Sequence, residues 1–340
     1  MGEFDKTAVT QTENVSDTPR RRGCAAHCAK FWWAHLITTV VLTAIITPIL
    51  LLVAVPKIAQ AKIDDAELIL NRITVSNAQR NTMTMDIDST IKTDGSVHAN
   101  IDGFPGVMYL EDHPDQTPFA RIDFPPTTAA KHQSVQVKQL IEIDAPALTI
   151  FNKWLVANES LRVTVLGETH VKVKGLTKSY PVTFKKTITM PGLDLLHGTV
   201  VNQTRIDTEK DARGNNFWGK TYIPNRSLLS IELGNLTYHN YLLDDEIGTV
   251  FIDNVTLEPG MNVYDMRATI DGLANVLGAL GKKPYCEDGI LPLKILAEDV
   301  VNNGQALDYY RDSLAAHNQT IPIDIGTPLH KHIPTWSLKC

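Results

Sequence analysis

The sequence predicts a mainly β protein: one N-terminal transmembrane helix, then two tandem β-sandwich units with a few helices. Three observations carry this. The first is an unbroken apolar run, FWWAHLITTVVLTAIITPILLLVAV, over residues 31–55. The second is period-two alternation of apolar and polar residues through most of the chain beyond it. The third is the punctuation of those stretches by Asp94-Gly95, Pro191-Gly192 and Pro259-Gly260, which mark turns.

The apolar run has no charged residue, and its last twenty residues, Leu36 to Val55, would cover about 30 Å as a helix, the thickness of a bilayer's hydrocarbon core. Pro48 lies inside and removes one backbone donor, which a membrane helix tolerates. Arg20, Arg21, Arg22 and Lys30 precede the run, whereas Lys57 and Lys62 follow it. The basic excess places the N-terminus in the cytosol and residues 56–340 in a lumenal or extracellular space, a single-pass type II topology. Trp32 and Trp33 suit the membrane interface. The competing reading is a cleaved signal peptide ending near Ala59-Gln60-Ala61; the run is too long and starts too far from the N-terminus for that reading to be preferred.

Residues 1–30 are expected to be a disordered cytosolic tail, 31–55 the membrane helix and 56–80 a linker, of which 62–80 reads as a short helix or an extended segment. Residues 81–203 then form the first lumenal sandwich and 204–340 the second, with C-terminal helices. Met83, Met85, Ile87 and Ile91 share one parity and read as a strand, as do Val135 and Val137. Residues 145–157, APALTIFNKWLVA, have helical spacing. Leu161, Val163 and Val165, then Val171 and Val173, read as a hairpin broken at Gly167. Phe184 to Met190 is the next strand. Leu229, Ile231 and Leu233 open the second unit, followed by Val250 with Ile252 and Val255 with Leu257. Ile295, Leu296, Val300, Val301, Leu307, Tyr310 and Leu314 are spaced in threes and fours or their sums and predict a closing helical segment.

Candidate sites follow from the lumenal topology. Six sequons lie beyond the membrane, at Asn158, Asn202, Asn225, Asn235, Asn254 and Asn318. Cys286 and Cys340 are the two cysteines of that region, and an oxidising lumen favours joining them, although the sequence does not bring their Cα atoms together. Cys24 and Cys28 are juxtamembrane candidates for palmitoylation, with unmodified thiols as the alternative. No Gly-x-Ser-x-Gly, His-Glu-x-x-His or phosphate-loop pattern occurs. His330-Lys331-His332 supplies two rings two positions apart, an incomplete metal site. Asp244, Asp245 and Glu246 read as a solvated acidic run. Ile270 to Leu280 is apolar enough to line a cleft, or to be an ordinary core helix. The expectation is therefore a non-enzymatic protein without cofactor or metal. Its net charge of −6 argues against a nucleic-acid partner.

Trp154–Leu176 (WLVANESLRVTVLGETHVKVKGL) with Lys185–Leu196 (KKTITMPGLDLL) resembles a fungal family of single-pass membrane proteins with an uncharacterised lumenal domain. Pro224–Tyr238 (PNRSLLSIELGNLTY) with Ile247–Asn262 (IGTVFIDNVTLEPGMN) is similar to the Asn-x-Ser-plus-strand signature of late-embryogenesis-abundant type 2 sandwiches, with Arg226 where that signature usually has proline. The resemblance covers residues 80–265. It implies tandem sandwich or Ig-like domains in the lumen of the vacuole or other endomembranes, relatives tied to autophagy termination, and domains that hold or transfer lipid. The alternative function is a structural or adaptor ectodomain that binds a protein partner through a sheet edge.

Overall fold

A computed structural model describes residues 24–334 and 340, with side chains from Trp32 onward. Residues 1–23 of the expected tail lie outside the described residues, and 24–30 are helical, continuous with the apolar helix, not a disordered tail. Contacts divide the chain into two units, Met1–Val55 and Pro56–Cys340.

The first unit contains helix α1 (Cys24–Ile49) and a π-helical turn, Leu50–Ala54. The turn begins two residues after Pro48, and its Val55 N–H donates to Leu50 O, five residues back. A proline that removes a ladder donor is a common origin of such a register change. The apolar side chains from Trp32 to Val53 are predominantly exposed. Trp32–Asp65 is, among the described residues, the one helical stretch long and apolar enough to cross a membrane, as an anchor or a signal sequence.

The second unit opens with α2 (Val55–Asp65) and β1 (Glu67–Ser76), so the expected linker is ordered structure. Then come β2 (Thr82–Lys92), β3 (Ala99–Ile101), β4 (Phe104–Leu110), β5 (Ala120–Phe124), β6 (Thr127–Thr128) and β7 (His132–Glu142). Helix α3 (Ala145–Ala157) starts where Asp144 accepts from the Ala147 N–H and Pro146 occupies the first turn. It leads to β8 (Ser160–Val173), β9 (Tyr180–Pro191) and β10 (Val200–Ile206). Four long strands follow, β11 (Phe217–Asn225), β12 (Leu229–Leu242), β13 (Asp245–Leu257) and β14 (Gly260–Ile270); β12–β13 and β13–β14 are hairpins, and β14 returns to pair with β11. The chain closes with α4 (Leu273–Leu280), α5 (Tyr285–Asp288), β15 (Ile290–Asn302), β16 (Gln305–Ala306), α6 (Asp308–Leu314), β17 (Gln319–Asp324) and α7 (Gly326–His332).

The eleven-stranded sheet has the order β16-β15-β17-β10-β11-β14-β13-β12-β1-β2-β7, and a smaller one has β5-β4-β8-β3-β6 with β9 on β8. Both are largely antiparallel, and their apolar faces form the core. The fold class matches the sequence expectation; several elements do not. The expected boundary at 203/204 falls inside β10. The large sheet runs across it, because β1 pairs in parallel with β12 through Ile73–Leu229 and Val75–Ile231. The β1–β2 turn is pinned from the other side of that boundary: Glu232 accepts from the Asn77 N–H at 2.5 Å, Asn302 Nδ2 donates to Ala78 O, and Tyr309 Oη donates to Gln79 O.

Gly167 makes no turn. Strand β8 passes straight through it, and a Cβ there would stand 2.5 Å from the Phe104 ring, so the glycine admits a close-packed aromatic side chain. The residues expected to begin the closing helix, Ile295 to Val301, belong to β15. Its pairing with β12 jumps from Tyr238–Ala297 to Thr237–Asp299, leaving Glu298 as an extra residue. That bulge breaks the period of two and imitates helical spacing. Only Asp308–Leu314 of the expected segment is helical.

An exposed edge on β9 is covered by α2. Gln60 Nε2 donates to Thr183 O at 2.8 Å while its Oε1 accepts from Thr183 N at 2.9 Å, as a paired strand would. Lys186 Nζ donates to Asp64 O at 2.7 Å, and burial lowers the Lys186 pKa.

Tyr238, Tyr309 and Tyr310 are buried, and desolvation raises the pKa of each above its ordinary value. An unfolded phenol ionises near pH 10, so above that pH the unfolded chain binds fewer protons than the folded one and stability falls as pH rises. Alkaline titration followed by phenolate absorbance and circular dichroism checks this. Three of the nine tyrosines should ionise only together with unfolding. Ionisation of all nine near pH 10 with the fold intact would contradict it.

Candidate functional site within a seven-strand ring

Strand β12 pairs with β13 along one edge and with β15 along the other. Continuing through β14, β11, β10 and β17 returns to β15, so seven strands close on themselves. Alternation along each strand sends every second side chain inward. The weakest seam is β10 with β17, joined by a single parallel pair, Val201–Ile323.

A cavity of about 40 Å³ remains at the centre of the ring. All seven strands line it, from Val201 on β10 to Ile321 on β17, and no lining residue is ionised at neutral pH. Most of the lining is aliphatic. Thr199, Thr221, Tyr238, Asn240 and Gln319 interrupt it. Asn240 is 3% exposed and Gln319 9%, and neither Asn240 Oδ1 nor Gln319 Nε2 has a hydrogen-bond partner. An unmet buried polar atom costs about 1–3 kcal/mol, so two of them facing one cavity call for an occupant. The volume accommodates about three waters, since each needs roughly 10–15 Å³ on this measure.

One wall of the cavity is Leu196, in a turn of unusual backbone. Asp194, Leu195 and Leu196 have φ of 48°, 53° and 54°. Left-handed backbone costs a residue with a Cβ about 1–2 kcal/mol, and here three stand in a row. The turn is held at both ends. Leu193 and Asp194 donate to Leu155 O and Asn158 O behind α3, Arg226 pairs with Asp194, and Thr199 Oγ1 donates to Leu196 O at 2.7 Å.

Two other hollows are less distinctive. A cavity of about 30 Å³ between β1, β2 and α3 faces the unpartnered Asn152 Nδ2. An open depression of about 790 Å³ lies among Trp218, Asp253 and Arg267, but Arg267 pairs with Asp253, and Arg205 lies 4.1 Å above the Trp218 ring.

The sequence-predicted sites scatter. Asn202, Asn235, Asn254 and Asn318 are exposed and Asn158 is half-buried at the end of α3, its Nδ2 donating to Trp154 O. Asn225 corrects the expectation. It is 2% exposed, and its Nδ2 donates to Leu229 O at 2.8 Å and Leu257 O at 3.1 Å. Its Oδ1 accepts from the N–H and hydroxyl of Ser227. The Asn-Arg-Ser triplet is therefore a buried corner between β11 and β12, with no room for a glycan in the folded state. Cys286 and Cys340 are disulfide-bonded, with Cα atoms 5.2 Å apart. Cys24 and Cys28 lie in α1, but their side chains are outside the described residues. His330 and His332 sit on α7, not a strand. Glu246 of the acidic run pairs with His239 at 2.8 Å. Among the described residues no three His, Cys, Asp or Glu side chains converge on a metal position. Ile270 ends β14, and Val276 and Leu280 of α4 are buried, so this stretch packs against the core.

Asn240 and Gln319 were not singled out by sequence, although a signal existed. Leu236, Tyr238 and Leu242 point inward on β12, and Asn240 shares their parity; Gln319 shares that of Ile321 and Ile323. A polar residue at an inward position of an apolar strand is the mark of a buried polar site.

Residues 117–240 match the family model described as "Protein of unknown function (DUF3712)". The matched stretch starts just before β5 and ends in β12, covering parts of both sheets. No curated protein matches the chain significantly. Among solved structures, a protein from Archaeoglobus fulgidus is 8% identical, aligned over 36% of this chain and 94% of its own, with a TM-score of 0.21. A glycosyl hydrolase family 2 member from Bacteroides cellulosilyticus is 10% identical over 43% of this chain and 15% of its own, with a TM-score of 0.19. A bacterial adhesin from Mobiluncus mulieris is 11% identical over 76% of this chain and 98% of its own, with a TM-score of 0.20. These scores carry no argument about function.

Two outcomes follow for Asn225. Glycopeptide mass spectrometry of the secreted-pathway protein should find glycans among the four exposed sequons and none at Asn225. Asn225→Ala should lower unfolding free energy by about 3 kcal/mol in urea, because it strips partners from several buried backbone groups.

Proposed function

We propose that this chain is a non-enzymatic, single-pass type II membrane glycoprotein whose ectodomain holds a lipid inside the seven-strand ring. The observation that carries the reading is the ring interior: an aliphatic lining drawn from seven strands, left incompletely filled, with buried polar atoms unmet. The basic N-terminal flank and the exposed sequons support a cytosolic N-terminus and a lumenal ectodomain. The family resemblance supports a vacuolar or endomembrane location and a role in autophagy or membrane homeostasis.

A second reading, a protein-binding ectodomain, has its own observation. Strand β7 ends the large sheet and pairs with β2 over eleven residues without a register shift. Its Leu140 is 64% exposed. A long regular edge of this kind accepts an added strand from a partner.

The test is lipid mass spectrometry on the full chain, purified in detergent from a eukaryotic secretory host, beside Val250→Phe, which fills the ring, and the milder Val250→Leu as a folding control. The expected result is about one lipid per native chain and depletion in Val250→Phe with an unchanged circular dichroism spectrum. Equal lipid in all three proteins would assign it to the membrane helix and remove the reading.

A further inference from the structure

The chemistry of the lining narrows the ligand. Resting on the reading that the ring holds a lipid, we infer that its occupant is an uncharged amphiphile with a single hydroxyl, seated between Asn240 and Gln319 and admitted past Leu196.

The hydroxyl follows from the two unmet atoms. Asn240 Oδ1 accepts and Gln319 Nε2 donates. One hydroxyl satisfies both, giving its proton to Asn240 and accepting from Gln319. A carboxylate answers only Gln319 and sets its charge against the Asn240 oxygen. The lining contains no arginine, lysine or histidine to compensate it. Burying an unpaired carboxylate is costly, so a charged fatty acid or phosphate headgroup is excluded from this end of the site. An alkane fills the aliphatic part and leaves both polar atoms unmet.

The route follows from the wall. At about 40 Å³ the cavity is too small for any chain, so binding requires a side to move. Leu196 is the lining residue in the left-handed Asp194–Leu196 turn. The turn enters β10, whose contact with β17 is a single pair. Strained backbone beside the weakest seam is where opening costs least, because release of the turn offsets part of the lost packing. Leu195 already faces solvent at 37% exposure, and Val200 likewise. The Arg226–Asp194 pair and the Thr199 hydroxyl hold the turn shut.

The experiment is native mass spectrometry of the full chain in non-ionic detergent at pH 8, titrated with dodecanol or with dodecanoate. Three proteins are compared: wild type, the Asn240→Leu/Gln319→Leu pair and Leu196→Ala. The leucine pair replaces unmet polar groups by apolar ones of similar size, so the fold is retained. Wild type should bind dodecanol about tenfold more tightly than dodecanoate, and the leucine pair should lose about tenfold for dodecanol. Leu196→Ala should bind dodecanol faster than wild type. Dodecanoate binding as tightly as dodecanol, or dodecanol binding unaffected by the leucine pair, would overturn the hydroxyl assignment and leave the lipid reading standing. Equal dodecanol association rates for Leu196→Ala and wild type would overturn the route. Failure of wild type and Leu196→Ala to bind either probe would overturn the inference together with the ring as a lipid site.

Discussion

Everything beyond residue 56 depends on β12. It is fourteen residues long and hydrogen-bonded on both edges: β13 on one, and on the other β1 at its start and β15 further along. The ring closes through β15, and the first sandwich attaches through β1. Its starting position is set by the Asn225 corner, where one amide satisfies Leu229 O, Leu257 O and both donors of Ser227. A corner whose polar groups are all met can be buried without penalty, and it fixes the register of everything paired to it. That register also carries Tyr238 and Asn240 into the ring and leaves His239 outside against Glu246.

The same strand explains why two predicted sandwiches form one contact unit. A parallel pair between β1 and β12 cannot be separated without exposing backbone groups on both. Glu232, Asn302 and Tyr309 add hydrogen bonds to the β1–β2 turn, and Ser313 on α6 donates to Thr149 O on α3. Two other edges are managed locally. Gln60 imitates a strand against β9, whereas β16 is only two residues long.

Elements built from local pattern were legible. Helix α3 has the predicted limits, since apolar spacing, an Asp N-cap and an early proline all agree. Strands β2 and β9 follow their alternation. Failures came where a single residue changed the period. The extra Glu298 made β15 look helical, and Gly167, a packing glycine, looked like a turn. The Asn-Arg-Ser triplet carried a glycosylation signal and a fold signal at once; burial decides between them, and burial is not local. The candidate site was less legible than the fold. Asn240 and Gln319 lie seventy-nine positions apart, and each alone is an ordinary polar residue in a strand.

By itself, the sequence determined where the apolar helix lies, the limits of α3, and the strands and buried faces of regularly alternating stretches such as β2, β7, β9 and β12, because these follow from periods of two and 3.6 within short windows. Only the tertiary structure decided that β15 returns to β12 and closes a ring, that Asn240 and Gln319 face each other's cavity, and that Leu196 walls it in a left-handed turn. Strand pairing joins residues far apart in the chain. Its outcome depends on which partners bury the most surface while leaving the fewest backbone groups unmet, a property of the assembled sheet that no local window contains.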